Sequence, residues 1–291
     1  MGDIYTKFKN FCNALRMSDA QVSTARDRKA RIAKQLNSEF RNSSYSEANT
    51  LYVGSYGRGT AIHLSDIDLI YVMPYAYYST YSHYAWNGQS ALLQKVKDVI
   101  LRSFPNTYIK GDGQVVVVQF SDGIRFEILP VFEQYDGSFI YPDTHNGGSW
   151  KKTNPRPEID EFNQMNNATK SNLKRLCRMV RAWKDKHDVS MSGLLIDTLC
   201  YRFIKDWQYR DNGYTYYDWM TRDFFFWLSN QNDNQNYWLA PGSNQQVYST
   251  GRFSQKAKSA YQSALLALAA ESNNNDWVAN LYWRDIYGAK F

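Results

Sequence analysis

Strand-like runs crowd the first half of this 291-residue chain and nearly vanish from the second, and this asymmetry limits the folds open to it. Apolar runs rich in β-branched and aromatic residues occupy 51–56, 66–73 ("DIDLIYVM"), "QVVVVQF" and "IRFEILPVF". The last two flank Ser121-Asp122-Gly123, a turn sequence that predicts a hairpin. Helical periodicity interrupts them twice. Ser18 followed three residues on by Gln21 forms a capping box, and Val22, Ala25, Ile32, Leu36 and Phe40 recur roughly once per turn. A long amphipathic helix over 18–41 is predicted, its other face carrying Arg26, Arg28, Lys29, Arg31 and Lys34 into solvent. A second helix over 90–104 ends at Pro105.

Beyond Trp150 the helical period takes over. One helix is expected to start at Pro157 and run on through "NLKRLCRMVRAWKDK", where Leu173, Leu176, Cys177, Val180 and Trp183 share a face. Ser190 or Ser192 then caps "GLLIDTLCYRFIKDW", and further helices are expected over 216–229, 252–271 and 276–287. The polar stretch 230–250 reads as a loop. No internal repeat is visible. The organisation expected is therefore a strand-bearing domain over 1–150 and a helical one over 151–291.

Composition narrows the class. Hydrophobic residues make up 43% and aromatic residues 16% of the chain, with 23 Tyr, 15 Phe and 9 Trp, so a globular chain is expected and its polar mean hydropathy need not imply disorder. The net charge of +6 suits an anionic partner without specifying one. Cys12, Cys177 and Cys200 are too far apart and too few for a disulfide framework or a zinc site. Nothing approaches 18 uninterrupted apolar residues, and Met1-Gly2 lacks the further features of a lipid anchor, so a soluble, cytoplasmic, membrane-free protein is expected. His63, His83, His145 and His187 are scattered, which leaves little room for histidine-based metal or base chemistry.

The chemistry concentrates in "VGSYGRGTAIHLSDIDLIYVM", residues 53–73. Along a strand, Asp66 and Asp68 project from one face with Cα atoms ~6.5–7 Å apart, while Ile67, Leu69 and Tyr71 face the other way. Like charges held so close need a cation between them. Mg²⁺ takes carboxylate and phosphate oxygens, and two-metal phosphoryl-transfer sites hold their ions ~3.5–4 Å apart. A third acid from another strand completes such a site. Glu127, between Phe126 and Ile128 in "RFEIL", is the best candidate; Asp122 and Glu133 are better explained as turn and exposed strand end. Gly54 and Ser55, with Gly57 and Gly59, offer backbone N–H groups and a hydroxyl to phosphate. The Walker lysine pattern and the dinucleotide fingerprint are both missing.

Gly54-Ser55, ten residues, Asp66-Ile67-Asp68 and a later strand with Glu127 resemble the nucleotidyltransferase superfamily of DNA polymerase β. More narrowly, "GSYGRGTAIHLSDIDL", "SWKKTNPRPEIDEF" and the closing "WRDIYGAKF" resemble the bacterial CD-NTases, relatives of cyclic GMP-AMP synthase, over roughly residues 50–291. A glutamate as third acid, where aspartate is frequent, is the one departure. The resemblance implies an α+β fold, a polymerase-β-like core of mixed sheet flanked by helices followed by a mainly helical lobe, with the active site in the cleft between them.

It also implies a chemistry. Asp66 and Asp68 would hold two Mg²⁺ ions, with Mn²⁺ as a substitute, Glu127 would ligate the one beside the attacking hydroxyl, and Gly54 and Ser55 would bind the β and γ phosphates of the donor NTP. The family places a basic residue on one helix and a serine at the start of the next against the triphosphate. Lys174 and Ser192 are the assignments by local similarity, with Arg178 or Lys184, and Ser190, as alternatives. The expected activity is template-independent synthesis of a cyclic oligonucleotide messenger, a cyclic dinucleotide first of all, in anti-phage (CBASS) signalling. NTPs are the substrates, a separate effector protein receives the product, and the enzyme is expected to be a monomer without a nucleic-acid template. The competing readings are another transfer of the same superfamily, such as RNA tailing or small-molecule nucleotidylation, and a non-catalytic nucleic-acid-binding scaffold.

Overall fold

The computed structural model describes residues 4–63 and 66–291; Met1, Gly2, Asp3 and the Leu64-Ser65 pair within the glycine-rich stretch lie outside it. In chain order the elements begin with α1 (Ile4–Ala14), α2 (Asp19–Arg41), β1 (Thr50–Tyr52), α3 (Gly54–Gly57), β2 (Ile67–Val72), α4 (Tyr75–Ser82) and α5 (Gly88–Ser103). Strands β3 (Tyr108–Asp112), β4 (Val115–Gln119), β5 (Arg125–Glu133), β6 (Phe139–Asp143) and β7 (Ser149–Thr153) follow. Then come α6 (Arg156–Ala168), α7 (Asn172–Lys186), α8 (Gly193–Asp206), α9 (Tyr217–Ser229), β8 (Tyr237–Leu239), β9 (Gln246–Tyr248), α10 (Ser254–Ser272) and α11 (Asp276–Tyr287).

The chain forms two compact units, but not as two consecutive stretches. A sheet unit comprises Met17–Gly57 and Leu64–Pro155, and a helical unit comprises Met1–Arg16, Arg58–His63 and Arg156–Phe291. The division expected at 1–150 and 151–291 thus differs at three places. Helix α1 buries Phe8, Phe11 and Cys12 among residues of the helical unit, residues 58–63 join that unit too, and strand β7 extends the sheet past 150.

The sheet unit is a mixed seven-stranded sheet, with order β1-β2-β5-β4-β3 and β6 and β7 continuing from the far end of β5. Only β2 and β5 run parallel. Ile67, Leu69 and Tyr71 of β2 and Phe126, Ile128 and Phe132 of β5 pack with Ile32 and Leu36 of α2 and Leu92 and Val96 of α5. The predicted capping box is present: Gln21 N–H donates to Ser18 Oγ at 3.2 Å, and Ser18 N–H donates to Gln21 Oε1 at 2.9 Å. On the basic face of α2, Arg26, Arg31 and Lys34 are exposed as expected, and Arg28 and Lys29 are the exceptions. Lys29 is buried, and the Arg28 and Arg31 guanidiniums lie over the rings of Phe120 and Phe104 at 3.8 and 4.5 Å, so their stems and charge pin α2 to the sheet.

Two further expectations are corrected. Residues 54–56 do not extend β1, because Gly54 takes φ +59° and Gly57 N–H donates to Val53 O at 2.8 Å, closing a helical turn. The helix expected to run unbroken from Pro157 breaks into α6 and α7, where Lys170 and Ser171 adopt left-handed backbone. Positive φ at two successive residues is incompatible with a continuing right-handed helix.

The helical unit packs α7, α8, α9 and α11 around Leu176, Trp183, Leu199, Phe225 and Trp283, all at most 1% exposed. The closing "WRDIYGAKF" is part of that core: Trp283 Nε1–H donates to Glu271 at 2.9 Å, Tyr287 hydroxyl pairs with Thr221 at 2.9 Å, and the Phe291 ring lies 5.0 Å from Phe8. Within the polar stretch 230–250, β8 and β9 form a short hairpin instead of a structureless loop. Cys12, Cys177 and Cys200 are free and buried. Among the described residues no helix is long and apolar enough to cross a membrane.

Candidate active site

The parallel pairing of β2 with β5 builds the site. Its register sets Asp68 opposite Glu127, two residues 59 apart in sequence. The alternation of the pleat turns Ile67, Leu69 and Phe126 into the core and leaves Asp68 and Glu127 on the opposite face. Asp66 precedes β2 by one residue and Arg125 opens β5, so each stands two residues before an acid. Arg125 spans the cluster: its guanidinium donates to Glu127 at 2.5 Å and lies 3.5 Å from Asp66. Glu127 sits on a strand flanked by β2 and β4, not on an edge. Burial raises its carboxyl above the ordinary glutamate range, Arg125 opposes that rise, and the charges of Asp66 and Asp112 add to it.

Gly54 touches the same cluster from above. Val53 N–H donates to the Asp68 carbonyl at 2.9 Å, and a Cβ built on Gly54 would fall 1.8 Å from Asp68 Oδ2. No residue with a side chain fits there. The glycine is required twice, by its left-handed backbone and by the approach of the carboxylate. Ser55 follows in the first turn of α3, half-buried. Gly54, Ser55, Asp66, Asp68 and Glu127 therefore all lie in the sheet unit, which brings Gly54, Asp68 and Glu127 together and Asp66 within reach of Arg125.

Lys174 and Ser192 belong to the helical unit. Lys174, on α7, donates to Asn163 at 2.6 Å, and its ammonium would lie 3.1 Å from a Cβ on Gly59, the last glycine of the glycine-rich stretch. Burial and the neighbouring Arg178 hold its pKa below the usual lysine range. Arg178 donates to the Gly59 carbonyl at 2.7 Å. Ser192 is the N-cap of α8, its hydroxyl accepting from Leu195 N–H at 3.2 Å. Ser190 instead bonds Thr250, and Lys184 pairs with Asp185, so neither alternative is placed near Gly59 by its contacts.

Sequence reasoning passed over Arg125. Its signal was its position two residues before Glu127 in the same strand, which forces a shared face.

The donor set consists of hard carboxylate oxygens, the chemistry that suits Mg²⁺ or Mn²⁺. Among the described residues no three His, Cys, Asp or Glu side chains converge as a ready metal cage. The cationic place between Asp66 and Glu127 is taken by the Arg125 guanidinium, which shows that these carboxylates are arranged around positive charge.

Comparison with known proteins identifies the family and the fold. Residues 3–166 match the family described as "SMODS: Second Messenger Oligonucleotide or Dinucleotide Synthetase domain". A probable cyclic nucleotide synthase of Bacillus cereus strain VD146 is 24% identical over 173 residues, covering 57% of this chain and 51% of the relative, so the match spans about half of that protein. CdnC of Escherichia coli MS115-1, solved with ATP, superposes with a TM-score of 0.74 over 99% of this chain and 98% of its own at 15% identity. The Vibrio cholerae cyclic AMP-GMP synthase DncV superposes at 0.71 over 99% and 97% at 13% identity. At such identities the structural likeness speaks for the fold, while the family match covers more than half of the chain. The chain belongs to the Second Messenger Oligonucleotide or Dinucleotide Synthetase family.

Proposed function

We propose that the protein is a template-independent nucleotidyltransferase that joins NTPs into a cyclic oligonucleotide, most simply a cyclic dinucleotide, and releases pyrophosphate. The observation that carries the reading is the Asp68–Glu127 register beside Gly54, with Asp66 3.5 Å from the Arg125 guanidinium that also binds Glu127. A ribose hydroxyl oxygen of one nucleotide attacks the α-phosphorus of another. The new P–O bond forms as the α–β bridging bond breaks, and pyrophosphate leaves. A second transfer within the linear intermediate closes the ring.

Each residue has a defined part. Asp66 and Asp68 would hold two Mg²⁺ ions and Glu127 one of them; when bound, the ions lower the pKa of the attacking hydroxyl and neutralise charge on the phosphates. Glu127, on the strand face it shares with Asp68, would accept the hydroxyl proton. The Gly54 N–H and Ser55 hydroxyl bind the β and γ phosphates, which is positioning plus electrostatic stabilisation. Lys174 contributes positive charge to the triphosphate. Its support is the adjacency of Lys174 and Arg178 at Gly59, two cations whose mutual repulsion an anion would relieve. Ser192 joins them as a hydroxyl donor while capping α8.

The NTP reading is supported by CdnC solved with ATP and DncV solved with a nonhydrolyzable GTP. The biological setting proposed is anti-phage signalling by a cytoplasmic monomer whose product acts on a separate effector. The test is incubation with Mg²⁺ and labelled NTPs without acceptor. A phosphatase-resistant product with pyrophosphate release supports the synthase; pyrophosphate released only when RNA or a small acceptor is added identifies a different transfer. No pyrophosphate, together with unaltered behaviour of Asp68→Asn, identifies a scaffold.

A further inference from the structure

The β8–β9 hairpin belongs to the helical unit and has no part in the reaction proposed above. Residues 230–251, which contain it, carry one charged side chain, Asp233, and nine asparagines and glutamines. Three-residue strands make a marginal hairpin by themselves, yet this one is fixed from several sides. Trp238 and Val247 point inward and are buried, Trp238 with its ring 5.9 Å from Phe253. Ala240 N–H donates to the Gln245 carbonyl at 2.9 Å, and the Ser243 hydroxyl and Gln245 side-chain amide both donate to Glu158 at 2.7 Å.

Alternation along the strands turns the neighbouring side chains outward. Tyr237 and Tyr248 are register partners with ring centroids 5.8 Å apart, and they are 41% and 57% exposed. Two adjoining cavities of about 520 Å³ each lie between the hairpin and α8, and share Arg202, Gln235, Trp238 and Leu239 as walls. Each is within the ~300–1,000 Å³ range of small-molecule sites. Lys205 lines the second cavity three residues on from Arg202, hence on the same helix face, and Asp206 is the one acid among the lining residues described. The Arg202 guanidinium donates to the Leu239 carbonyl, a neutral oxygen, at 3.4 Å. Arg202 also lies well along α8 from its N-cap Ser192, the residue proposed to meet triphosphate: ten residues of helix amount to roughly 15 Å.

Three kinds of group therefore meet in one preformed place. Exposed tyrosine rings stack on a planar base, side-chain amides offer the paired donor and acceptor that a base edge matches, and a guanidinium beside an ammonium suits phosphate. A neutral sugar would use the rings and amides but leave both cations idle. We propose that these cavities form a second nucleotide site, in which a base stacks on the Tyr237–Tyr248 pair, Gln235 meets its edge, and Arg202 and Lys205 take the phosphate. NTP and cyclic product share that chemistry, and with either as occupant the site responds to nucleotide away from the reacting atoms. The site itself is independent of the synthase reading; only the product as its occupant rests on it.

The experiment photolabels the full chain with 8-azido-ATP in EDTA, maps the label by mass spectrometry, and measures displacement by ATP, cyclic di-AMP and inorganic phosphate. Wild type is compared with Y248A and with R202Q combined with K205Q, exposed positions at which the fold should survive and melting curves verify it. The expected result is saturable label within residues 201–248 and roughly tenfold weaker binding there in both variants. Whichever of ATP and cyclic di-AMP displaces the label at lower concentration is identified as the occupant, and displacement by either supports the site. Label confined to other residues, such as 53–73, or wild-type affinity in both variants, overturns the proposal. Displacement by inorganic phosphate as effective as that by ATP also overturns it, since no base is then recognised. Should Y248A not fold, the Arg202 and Lys205 variant decides. Hairpin labelling in protein that turns over no NTP upholds this site and defeats the synthase reading, while NTP turnover without hairpin labelling does the reverse.

Discussion

Gly54 and Asp68 are in contact so close that the glycine's missing side chain is part of the site: a Cβ would stand 1.8 Å from Asp68 Oδ2. The turn that offers N–H groups and the acid that would hold metal thus form one unit of structure. Gly54→Ala is expected to lose activity roughly a hundredfold, because it meets both the left-handed backbone and the carboxylate. Initial-rate pyrophosphate release, with a melting curve to verify folding, checks it. Wild-type rates in Gly54→Ala would show the turn to be remote from the reaction.

The three acids are expected to differ in their cost. Asp66→Asn and Asp68→Asn should abolish product with the fold retained. Glu127→Gln should reduce kcat by about 10²–10⁴-fold, the range for loss of a general base. Turnover of Asp68→Asn at the wild-type rate would remove the metal assignment.

Arg125 already pairs with two of the carboxylates proposed to hold a divalent ion. Arg125→Met leaves Asp66 and Glu127 without their bridging cation, so the variant should melt lower without metal and gain more from Mg²⁺ than wild type does. A difference of about 1 kcal/mol would appear as roughly 2–4 °C. Equal Mg²⁺-induced shifts in the two proteins would show that guanidinium and metal use different groups.

Ser192 is a helix cap whatever else it does. Ser192→Ala should cost about 1 kcal/mol of stability. Ser192→Asp caps equally well but puts negative charge where triphosphate is proposed, so it should keep stability and raise the KM for NTPs. Stability and KM both unchanged in Ser192→Asp would confine the residue to capping.

Stability should carry a pH signature from Asp218. Burial raises its carboxyl to about 6, although the Trp219 N–H opposes this with a hydrogen bond of 2.8 Å. A raised acid binds its proton more tightly folded than unfolded. Its contribution is therefore complete below about pH 4, falls as pH rises to about 6, and is gone above, on the order of 3 kcal/mol over that window. Asp136 and Asp143, held low by Lys152 and Lys151, act in the opposite sense and lose their contribution on acidification. Comparing denaturation of wild type and Asp218→Asn at pH 4.5 and 7 isolates the Asp218 effect. A gap between the two proteins that does not widen at pH 7 contradicts it.

Local order was written in the sequence. The capping box at Ser18 and Gln21, the hairpin at Ser121–Gly123, the shared face of Asp66 and Asp68 and the exclusion of Ile67 and Leu69 from that face follow from periods of 3.6 and 2 and from turn chemistry, which act over a few residues. The spacing from Gly54 to Asp68 also pointed to the family. What the tertiary structure alone decided is everything that depends on distant strands and helices meeting. The β2–β5 register puts Asp68 beside Glu127, and Arg125 enters only with it. Arg58 finds Asp197 across 139 residues, and the stretch that looked like one motif is shared between two units. Periodicity says which way a side chain faces; it carries no record of which other element will face it, because that choice is made by burial summed over the whole core.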